Sequence, residues 1–487
     1  MLTFLIGMAI LVFGGIAYGI YIEKVFGPDD RKTPATTMED GVDYVPMSKW
    51  KNSLVQLLNI AGTGPILGPI QGILFGPIAF LMIPIGCVLG GAVHDYLSGM
   101  ISMRENGKQM PALIEKFLGR GIYNVYNVFI CFLMLLVGAV FIYTPGDLAV
   151  SQVLNMKTTP DNAVVWVVYG IIFTYYLIAT LFPIDKIIGK IYPIFGAILL
   201  LSAVGVGIGI FAKGYPLMNV DFSNLNMHPN GLKIFPIFFV TVACGIVSGF
   251  HSTQSTMIAR SVKNEREGKT TFFNMMLLEG FIAMIWAAAS MGVYELGMVE
   301  SGLVGKAAVI GIVAKDLLGS VGGMIAIVGV IVLPITSGDT ALRSLRLMLG
   351  DALHIDQSKK KNRLMLTACI FVPVIAILIF AKLNSNGFSV LWRYFSWSNQ
   401  TIAIFAFAMI TIYLYGQSKN YFISLIPGCF YAFIITTFIL NAKIGFGLKM
   451  NTAYIIGAIL TVIYAVTILY MAKRKKNSTL EANEIVA

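Results

Sequence analysis

Charged side chains are scarce in this sequence. Asp, Glu, Lys and Arg make up 12% of its 487 residues, whereas hydrophobic residues make up 57%. A soluble protein carries about 25% charged residues, and a disordered chain is poor in apolar residues, so both classes are excluded. Together with a mean hydropathy of +0.79, this composition predicts an all-α polytopic membrane protein whose surface mostly faces lipid.

The sequence also lacks the signatures of several function classes. It has no Walker A loop, no HExxH or GxSxG motif and no TVGYG filter, so it predicts neither an ATPase, nor an intramembrane hydrolase, nor a potassium channel. Its five cysteines are scattered without metal-ligand spacing. We therefore expect no enzyme activity, no cofactor, and no metal beyond a monovalent cation. The net charge of +11 does not predict nucleic-acid binding, because Lys and Arg set the topology of a membrane protein first.

Long apolar stretches dominate the chain. A helix needs about 20 apolar residues to cross a bilayer, and thirteen segments qualify. They are residues 3–22, 52–72, 75–102, 124–144, 163–182, 191–213, 232–259, 272–295, 321–348, 363–382, 393–415, 420–440 and 452–472. About three quarters of the 35 Lys and Arg residues flank alternate segments on one side. The positive-inside rule then predicts an N-terminus outside and a C-terminus in the cytoplasm.

Two of the predicted spans contain residues that interrupt helices. In the second span, Pro65 and Pro69 stand among glycines in the run NIAGTGPILGP, and both residue types disfavour helix. The seventh span contains CGIVSGFHSTQS, in which two glycines lead into a dense polar run. We predict that both helices are discontinuous and line a cavity, because unwound backbone inside a membrane needs protein or water around it. Close packing through small residues is the alternative.

The positions of the two breaks indicate an inverted repeat. The breaks lie five spans apart, and an odd number of spans returns the chain upside down. Interrupted spans at matching positions of inverted halves are a sequence sign of a transporter site. We therefore predict one five-helix repeat in residues 52–230 and a second, inverted one in 231–418. An extra helix and a cytoplasmic loop occupy 1–51, and two C-terminal helices with a basic tail occupy 419–487.

One carboxylate lies deep in an apolar span. Asp339 belongs to the ninth span, in the run PITSGDT, and an isolated charge in hydrocarbon is usually functional. The hydroxyls of Thr336, Ser337 and Thr340 lie within one turn of it and could complete a cation site. Two alternatives remain open: Asp339 carries a proton, or it forms a structural ion pair with Arg343 at position i+4.

Three further places combine titratable groups with membrane depth. His94 and Asp95 lie in the inner half of the third span, and Glu279 lies in the inner third of the eighth. They form either a proton relay or satisfied pairs near the cytoplasmic interface. His251 follows the break in the seventh span and could titrate near neutral pH or serve as a hydrogen-bonded structural residue.

Several motifs together resemble the carbon-starvation protein A family. These are NIAGTGPILGPIQG, GGAVHDYLSGMISMRENGKQMP, GFHSTQSTMIAR, LPITSGDTALRS and FSWSNQTIAIFA. The resemblance implies a bacterial or archaeal cytoplasmic-membrane protein of the amino acid–polyamine–cation superfamily, with a LeuT-type fold and two discontinuous helices. It further implies uptake of peptides or pyruvate, driven by a proton gradient. The chain resembles the shorter form of the family.

The resemblance also implies where a solute and an ion bind. A substrate carboxylate would meet amide groups between the two breaks, where helix N-termini favour anions. The substrate candidates are Gly62, Thr63, Gly64, Ser248, Gly249, His251, Ser252 and Gln254, and Asn399 and Gln400 of the eleventh span could face the same cavity. The candidates for ion or proton coupling are Ile60, Ala61, Thr336, Ser337, Asp339 and Thr340, with His94 and Asp95 as the possible proton relay.

We therefore expect a secondary active transporter that imports a pyruvate-like carboxylate or short peptides by ion-coupled symport. A proton gradient is the favoured driving force and a sodium gradient is the alternative. A passive channel or facilitator, and a membrane nutrient sensor acting through the loop at 23–51, are the competing functions. The expected partners are a small-molecule substrate and the lipid bilayer, and the sequence does not predict the oligomeric state.

Overall fold

The structure is a computed structural model that describes residues 1–41, 44–181, 185–300, 303–357 and 359–486. Its main helices are α1 (Leu2–Phe26), α2 (Lys49–Ile60), α3 (Gly64–Phe75), α4 (Ala79–Arg104), α5 (Met110–Leu118), α6 (Arg120–Val153), α7 (Ala163–Leu181), α8 (Asp185–Ala212), α9 (Gly249–Ile258), α10 (Glu265–Glu295), α11 (Ala308–Ala352), α12 (Lys360–Leu383), α13 (Gly387–Gly416), α14 (Phe422–Asn441) and α15 (Met450–Val486). Three short turns precede α9, at Ile234–Phe238, Phe239–Thr241 and Ala243–Ile246.

The predicted all-α membrane architecture is confirmed. Within the described residues, ten helices are long and apolar enough to cross a bilayer, or eleven when α2 and α3 count as one bent span. Each of the thirteen predicted segments contains helix. The segment at 191–213, however, offers only the shorter apolar helix Gly196–Ala212, and the one at 232–259 is divided into short pieces. The number of thirteen crossings therefore stays a prediction.

The helices differ in how much of their surface other helices cover. In α10 and α13, 83% of the apolar stretch is buried inside the protein, whereas the figure is 28% for α1 and 17% for α15. Buried small residues on α10, such as the run 287–289 of three alanines, allow neighbouring backbones to approach closely. Thus α10 and α13 form the centre of the bundle, and α1 and α15 lie at its lipid-facing periphery.

The first predicted break lies between α2 and α3. Regular winding stops at Ala61, whose ψ of 58° is not helical, and the axes of α2 and α3 meet at 48°. Pro65 stands in the first turn of α3, where a proline needs no donor partner. At Gly64 an added Cβ would lie 2.2 Å from Cβ of Cys244. Glycine at position 64 is therefore needed for the first break to pack against Cys244, which belongs to the segment around the second break.

The second predicted break lies immediately before α9. Val247 and Ser248 have extended backbone angles (φ −145° and −126°) between the short turn at Ala243–Ile246 and α9. Val242 is also outside the helical region, with ψ of 21°. At Gly249 an added Cβ would lie 2.3 Å from the carbonyl oxygen of Asn399 on α13. Both discontinuous helices are therefore confirmed, and each is packed against other protein, as backbone unwound inside a membrane must be.

The loop between α1 and α2 packs against the segment that joins α9 to α10. Isolated bridges pair Lys32 with Asn264 and Met47 with Val262. Buried Glu265 accepts two hydrogen bonds from the Arg104 guanidinium, at 2.9 and 3.0 Å. These contacts join the ends of α1, α4, α9 and α10 on the side predicted to be cytoplasmic. The predicted domain boundaries remain untested, although the boundary at 51 falls inside α2.

Candidate functional site

A small cavity lies between the two breaks. Its volume is about 20 Å³, which is room for about one water molecule. Its walls come from both breaks and from α6, α11 and α13. The lining residues are Asn59, Ile60, Gly62, Gly64, Val137, Phe141, Cys244, Ser248, Phe250, His251, Ser337, Phe395 and Asn399. A solute of several heavy atoms does not fit in this state, so binding requires the surrounding helices to move apart.

Asn399, on the neighbouring helix α13, forms hydrogen bonds with residues at the second break. Its Oδ1 accepts the backbone N–H of Phe250 at 2.8 Å, and its Nδ2 donates to Ser248 Oγ at 2.8 Å and approaches Cys244 Sγ at 3.4 Å. This satisfies one of the amide groups that a helix start leaves without an intrahelical partner. Asn399 is fully buried, so the amide acts as a cap for α9 and as a polar wall of the cavity at once.

Two hydroxyls near the first break are buried without a partner. Ser337 lines the cavity from α11, and Thr63 is the residue before α3. Neither Ser337 Oγ nor Thr63 Oγ1 has a hydrogen-bond partner among the described residues. A buried polar atom without a partner is costly, and both atoms could coordinate a small cation or a bound solute.

Next to this cavity lies a group of four buried titratable side chains, which we call the His–Asp–His–Glu cluster: His94, Asp95, His251 and Glu279. Asp95 Oδ1 lies 2.8 Å from His94 Nδ1, and Asp95 Oδ2 lies 3.1 Å from His251 Nδ1. His251 Nε2 in turn lies 3.6 Å from Glu279 Oε2. All four side chains are at most 2% exposed, and His251 alone of them lines the cavity.

The hydrogen bonds of this cluster fix where a proton can be exchanged. When Asp95 is ionised, its two oxygens only accept, and both contacts then require the tautomer that carries the proton on Nδ1 of each histidine. The remaining nitrogen of His251, Nε2, faces Glu279 across 3.6 Å, which is too long for a direct hydrogen bond. Neither carboxylate oxygen of Glu279 has a hydrogen-bond partner among the described residues. A single proton could therefore reside on His251 Nε2 or on Glu279 with little other rearrangement.

Asp339 has a different environment. Its Oδ2 accepts a hydrogen bond of 2.5 Å from Tyr175 of α7, its side chain is buried, and it does not line the cavity. The side chains of Thr336 and Thr340 lie outside the described part of the structure. The proposed grouping of Asp339 with hydroxyls of its own helix therefore stays a prediction.

The structure brings only part of the predicted site together around the cavity. Gly62, Gly64, Ser248, His251, Asn399, Ile60 and Ser337 line it. Thr63, Gly249, Ser252, Gln254, Gln400, Ala61, Asp339, His94 and Asp95 do not. Ser252 Oγ instead donates to the carbonyl oxygen of Gly249 at 2.7 Å, and Gln400 Nε2 donates to that of Phe239 at 2.7 Å.

Sequence reasoning missed the aromatic walls of the cavity. The rings of Phe141 and Phe395 lie 6.3 Å apart and form the cavity wall with Phe250. With 32 phenylalanines in the chain, no single one is distinguishable by pattern. Asn59 could have been found, because it is a polar residue directly before the first break.

Comparison with solved structures identifies the fold first. The structure aligns with a manganese transporter from Eremococcus coleocola, with a TM-score of 0.54 and 12% identity, over 87% of this chain and 92% of that chain. At this identity the likeness shows the fold alone, and it is the LeuT-like transporter fold. The predicted fold class is therefore confirmed, while the five-helix inverted repeat stays a prediction.

The family follows from sequence. The model of the carbon starvation protein CstA family matches residues 1–226, 149–306 and 297–440, so the chain belongs to that family. An uncharacterized membrane protein of Haemophilus influenzae is 42% identical over 340 residues, which are 61% of this chain and 92% of that protein. Bacillus subtilis peptide transporter CstA is 26% identical over 58% of this chain, and the Escherichia coli pyruvate/proton symporter BtsT is 25% identical over 58%.

The chain spans about half the length of these two named transporters, 57% and 47% respectively. Their names support transport by a multi-pass membrane protein with a small-molecule substrate, and they name no enzyme. Membership of the amino acid–polyamine–cation superfamily and the orientation of the termini stay predictions.

Proposed function

We propose that this protein is a proton-coupled symporter that imports a small carboxylate, such as pyruvate, or a short peptide by alternating access. It would act in the cytoplasmic membrane of a bacterium, with its N-terminus outside and its C-terminus inside. The names of the relatives supply the two substrate classes. The chemistry of the site supplies the argument for proton coupling.

The observation that carries this proposal is that the His–Asp–His–Glu cluster reaches the cavity through one side chain. His251 lines the cavity, and its two ring nitrogens lie 3.1 Å from Asp95 Oδ2 and 3.6 Å from Glu279 Oε2. Ionisable groups inside a membrane are expensive and typically mark ion or proton pathways. A proton or a carboxylate that arrives in the cavity therefore reaches the cluster at His251.

The cluster also connects the helices that would have to move. Asp95 belongs to α4, His251 to α9 and Glu279 to α10. A positive His251 attracts both carboxylates, whereas a neutral one leaves Glu279 without an ionic partner among the described residues. Because the charge of His251 changes the attraction between three helices, protonation could favour one arrangement of the bundle over another.

Solute binding would use the polar walls of the same cavity. The amides at the start of α3 and α9 favour negative charge, and Asn399 could turn its donor towards a solute carboxylate. Ser337 Oγ, in the wall of the cavity, is available to a solute or to a cation. Asp339, held by Tyr175, remains the second candidate for ion coupling.

Uptake into proteoliposomes tests the proposal. We expect the purified protein to accumulate labelled pyruvate or a labelled dipeptide when the pH outside is lower than inside, and not under a sodium gradient alone. Asp95→Asn should abolish accumulation, because it removes the charge that fixes both histidines. Asp339→Asn, tested in parallel, shows whether the second carboxylate is also required.

A surface carboxylate gives the matched control. Asp316 pairs with Lys213 at 2.9 Å and is 25% exposed, so Asp316→Asn should leave accumulation unchanged. Sodium-driven accumulation that ignores pH would reject proton coupling. Equilibration without accumulation under every gradient would indicate a facilitator, and binding without any flux would indicate a sensor.

A further inference from the structure

A second and much larger cavity lies at the end of the bundle that carries the basic C-terminal segment. Its volume is about 420 Å³, which is within the range of ligand-binding pockets, about 300–1,000 Å³. Helix α5, the C-terminal end of α13 and residues 472–476 of α15 form its walls. It is separate from the cavity between the breaks and shares no lining residue with it.

Positive charge predominates in this cavity. Among the side chains that the structure describes, three lysines, Lys116, Lys475 and Lys476, line it together with one acidic residue, Glu105. Lys116 forms an ion pair with Glu105, whereas Lys476 donates to the neutral hydroxyl of Ser418 at 2.8 Å. The formal charge of these four lining groups is therefore positive, and the cavity would attract an anion.

Part of the remaining wall is apolar, and it lies beside a helix with much exposed surface. Phe117 lies beneath Lys475, whose Nζ is 4.4 Å from the ring centroid, and Ile412 and Ala472 also line the cavity. Helix α15 is the least covered of the spanning helices, and Tyr470, just before the cavity, is 65% exposed. A ligand with a charged head and apolar chains would use both surfaces, whereas free phosphate would use only the lysines.

We propose that this cavity binds the phosphodiester headgroup of an anionic phospholipid from the cytoplasmic leaflet. The ammonium groups of Lys116, Lys475 and Lys476 would contact the phosphate oxygens, and the acyl chains would lie along α15. Basic pockets between membrane helices on the cytoplasmic side are suited to such headgroups. The proposal does not depend on the transported solute or on proton coupling.

The site is connected through side chains to the contacts between helix ends on the side predicted to be cytoplasmic. Tyr413 lines the cavity, and its ring stacks on that of Phe26 at 6.3 Å. The guanidinium of Arg104 lies 4.0 Å from the Phe26 ring centroid and binds Glu265. Lipid binding would therefore stabilise the contacts that hold α1, α4 and α10 together on this side.

Thermal unfolding of the full chain in a neutral detergent tests the proposal. Phosphatidylglycerol should raise the melting temperature in a saturable manner, because a ligand that binds the folded state stabilises it. Phosphatidylcholine and inorganic phosphate should not. The triple variant Lys116→Gln/Lys475→Gln/Lys476→Gln should bind phosphatidylglycerol about a hundredfold more weakly, at about fivefold for each lysine.

Another lysine triplet on the side predicted to be cytoplasmic provides the matched control. Lys359, Lys360 and Lys361 are exposed at the start of α12, and their triple Gln variant should respond like wild type. Replacing the three cavity lysines by Arg should preserve binding and shows whether altered folding explains the Gln variant. If phosphatidylglycerol raised the melting temperature of the cavity Gln variant as much as that of wild type, these lysines would not form the binding site. If inorganic phosphate raised the melting temperature equally, the ligand would not be a lipid.

Discussion

Asn399→Ala is the substitution that most directly perturbs the second break. The side chain contacts three groups around that break: the backbone N–H of Phe250, Ser248 Oγ and Cys244 Sγ. All of them are buried. The alanine variant would leave the backbone N–H of Phe250 without its cap and would enlarge the cavity by the volume of an amide group.

The size of the effect can be worked out from these contacts. Loss of an N-cap typically costs about 1 kcal/mol, and a buried donor without a partner costs about 1–3 kcal/mol. Side-chain hydrogen bonds inside membranes average only about 0.6 kcal/mol. The combined cost of the lost cap and the unpaired donor therefore lies at the low end of these ranges. We therefore expect Asn399→Ala to lower the free energy of unfolding by about 2 kcal/mol and to impair solute binding.

Unfolding in mixed micelles, followed by loss of helical circular dichroism, measures this difference. Thr401→Val on the same helix is the matched control. The hydroxyl of Thr401 bonds only to the carbonyl oxygen of Trp397 among the described residues, at 2.8 Å, and valine retains its shape. If Asn399→Ala were no less stable than Thr401→Val, the side-chain amide of Asn399 would not stabilise the second break.

Three further predictions concern stability. Lys382→Met should lower the free energy of unfolding by about 3 kcal/mol, because it leaves the Asp147 carboxylate, which is only 15% exposed, without its ammonium partner at 2.7 Å; adding Asp147→Asn should recover most of the loss in the same unfolding assay. Gly64→Ala should be destabilising because of the 2.2 Å approach to Cβ of Cys244, and Cys244→Gly should partly restore the melting temperature. Burial and the nearby Arg393 cation lower the pKa of His228, in the loop before the short turns, to about 4. The unfolded chain, with an ordinary histidine pKa of about 6.5, then binds more protons below that pH, so stability falls between about pH 6.5 and 4. His228→Gln should remove this part of the pH dependence of the melting temperature.

The two discontinuous helices could be predicted because their causes are local. Pro65 and the surrounding glycines disfavour helix wherever the chain folds, and the polar run after Gly249 marks the second break. Which groups meet there could not be predicted. Asp95 and His251 are 156 residues apart in sequence, and their contact depends on how α4 packs against α9, which hydrophobic periodicity does not encode.

The contacts of the individual site residues could not be predicted for the same reason. Asp339 stood out in the sequence because charge is rare in an apolar span, but its partner, Tyr175, lies on another helix and looks like any membrane tyrosine. The sequence indicates three separate places, His94 with Asp95, His251, and Glu279, each as relay or structural residues. Their assembly into one cluster beside the cavity is apparent only from the three-dimensional arrangement.

The most direct test of proton coupling by the His–Asp–His–Glu cluster compares exchange with net uptake in Glu279→Gln. Glutamine retains the shape of Glu279 but cannot carry the transferable proton. We predict that proteoliposomes with this variant still exchange internal for external solute, while accumulation driven by a pH gradient is lost. Accumulation at the wild-type rate in Glu279→Gln would contradict the assignment of this cluster to proton coupling.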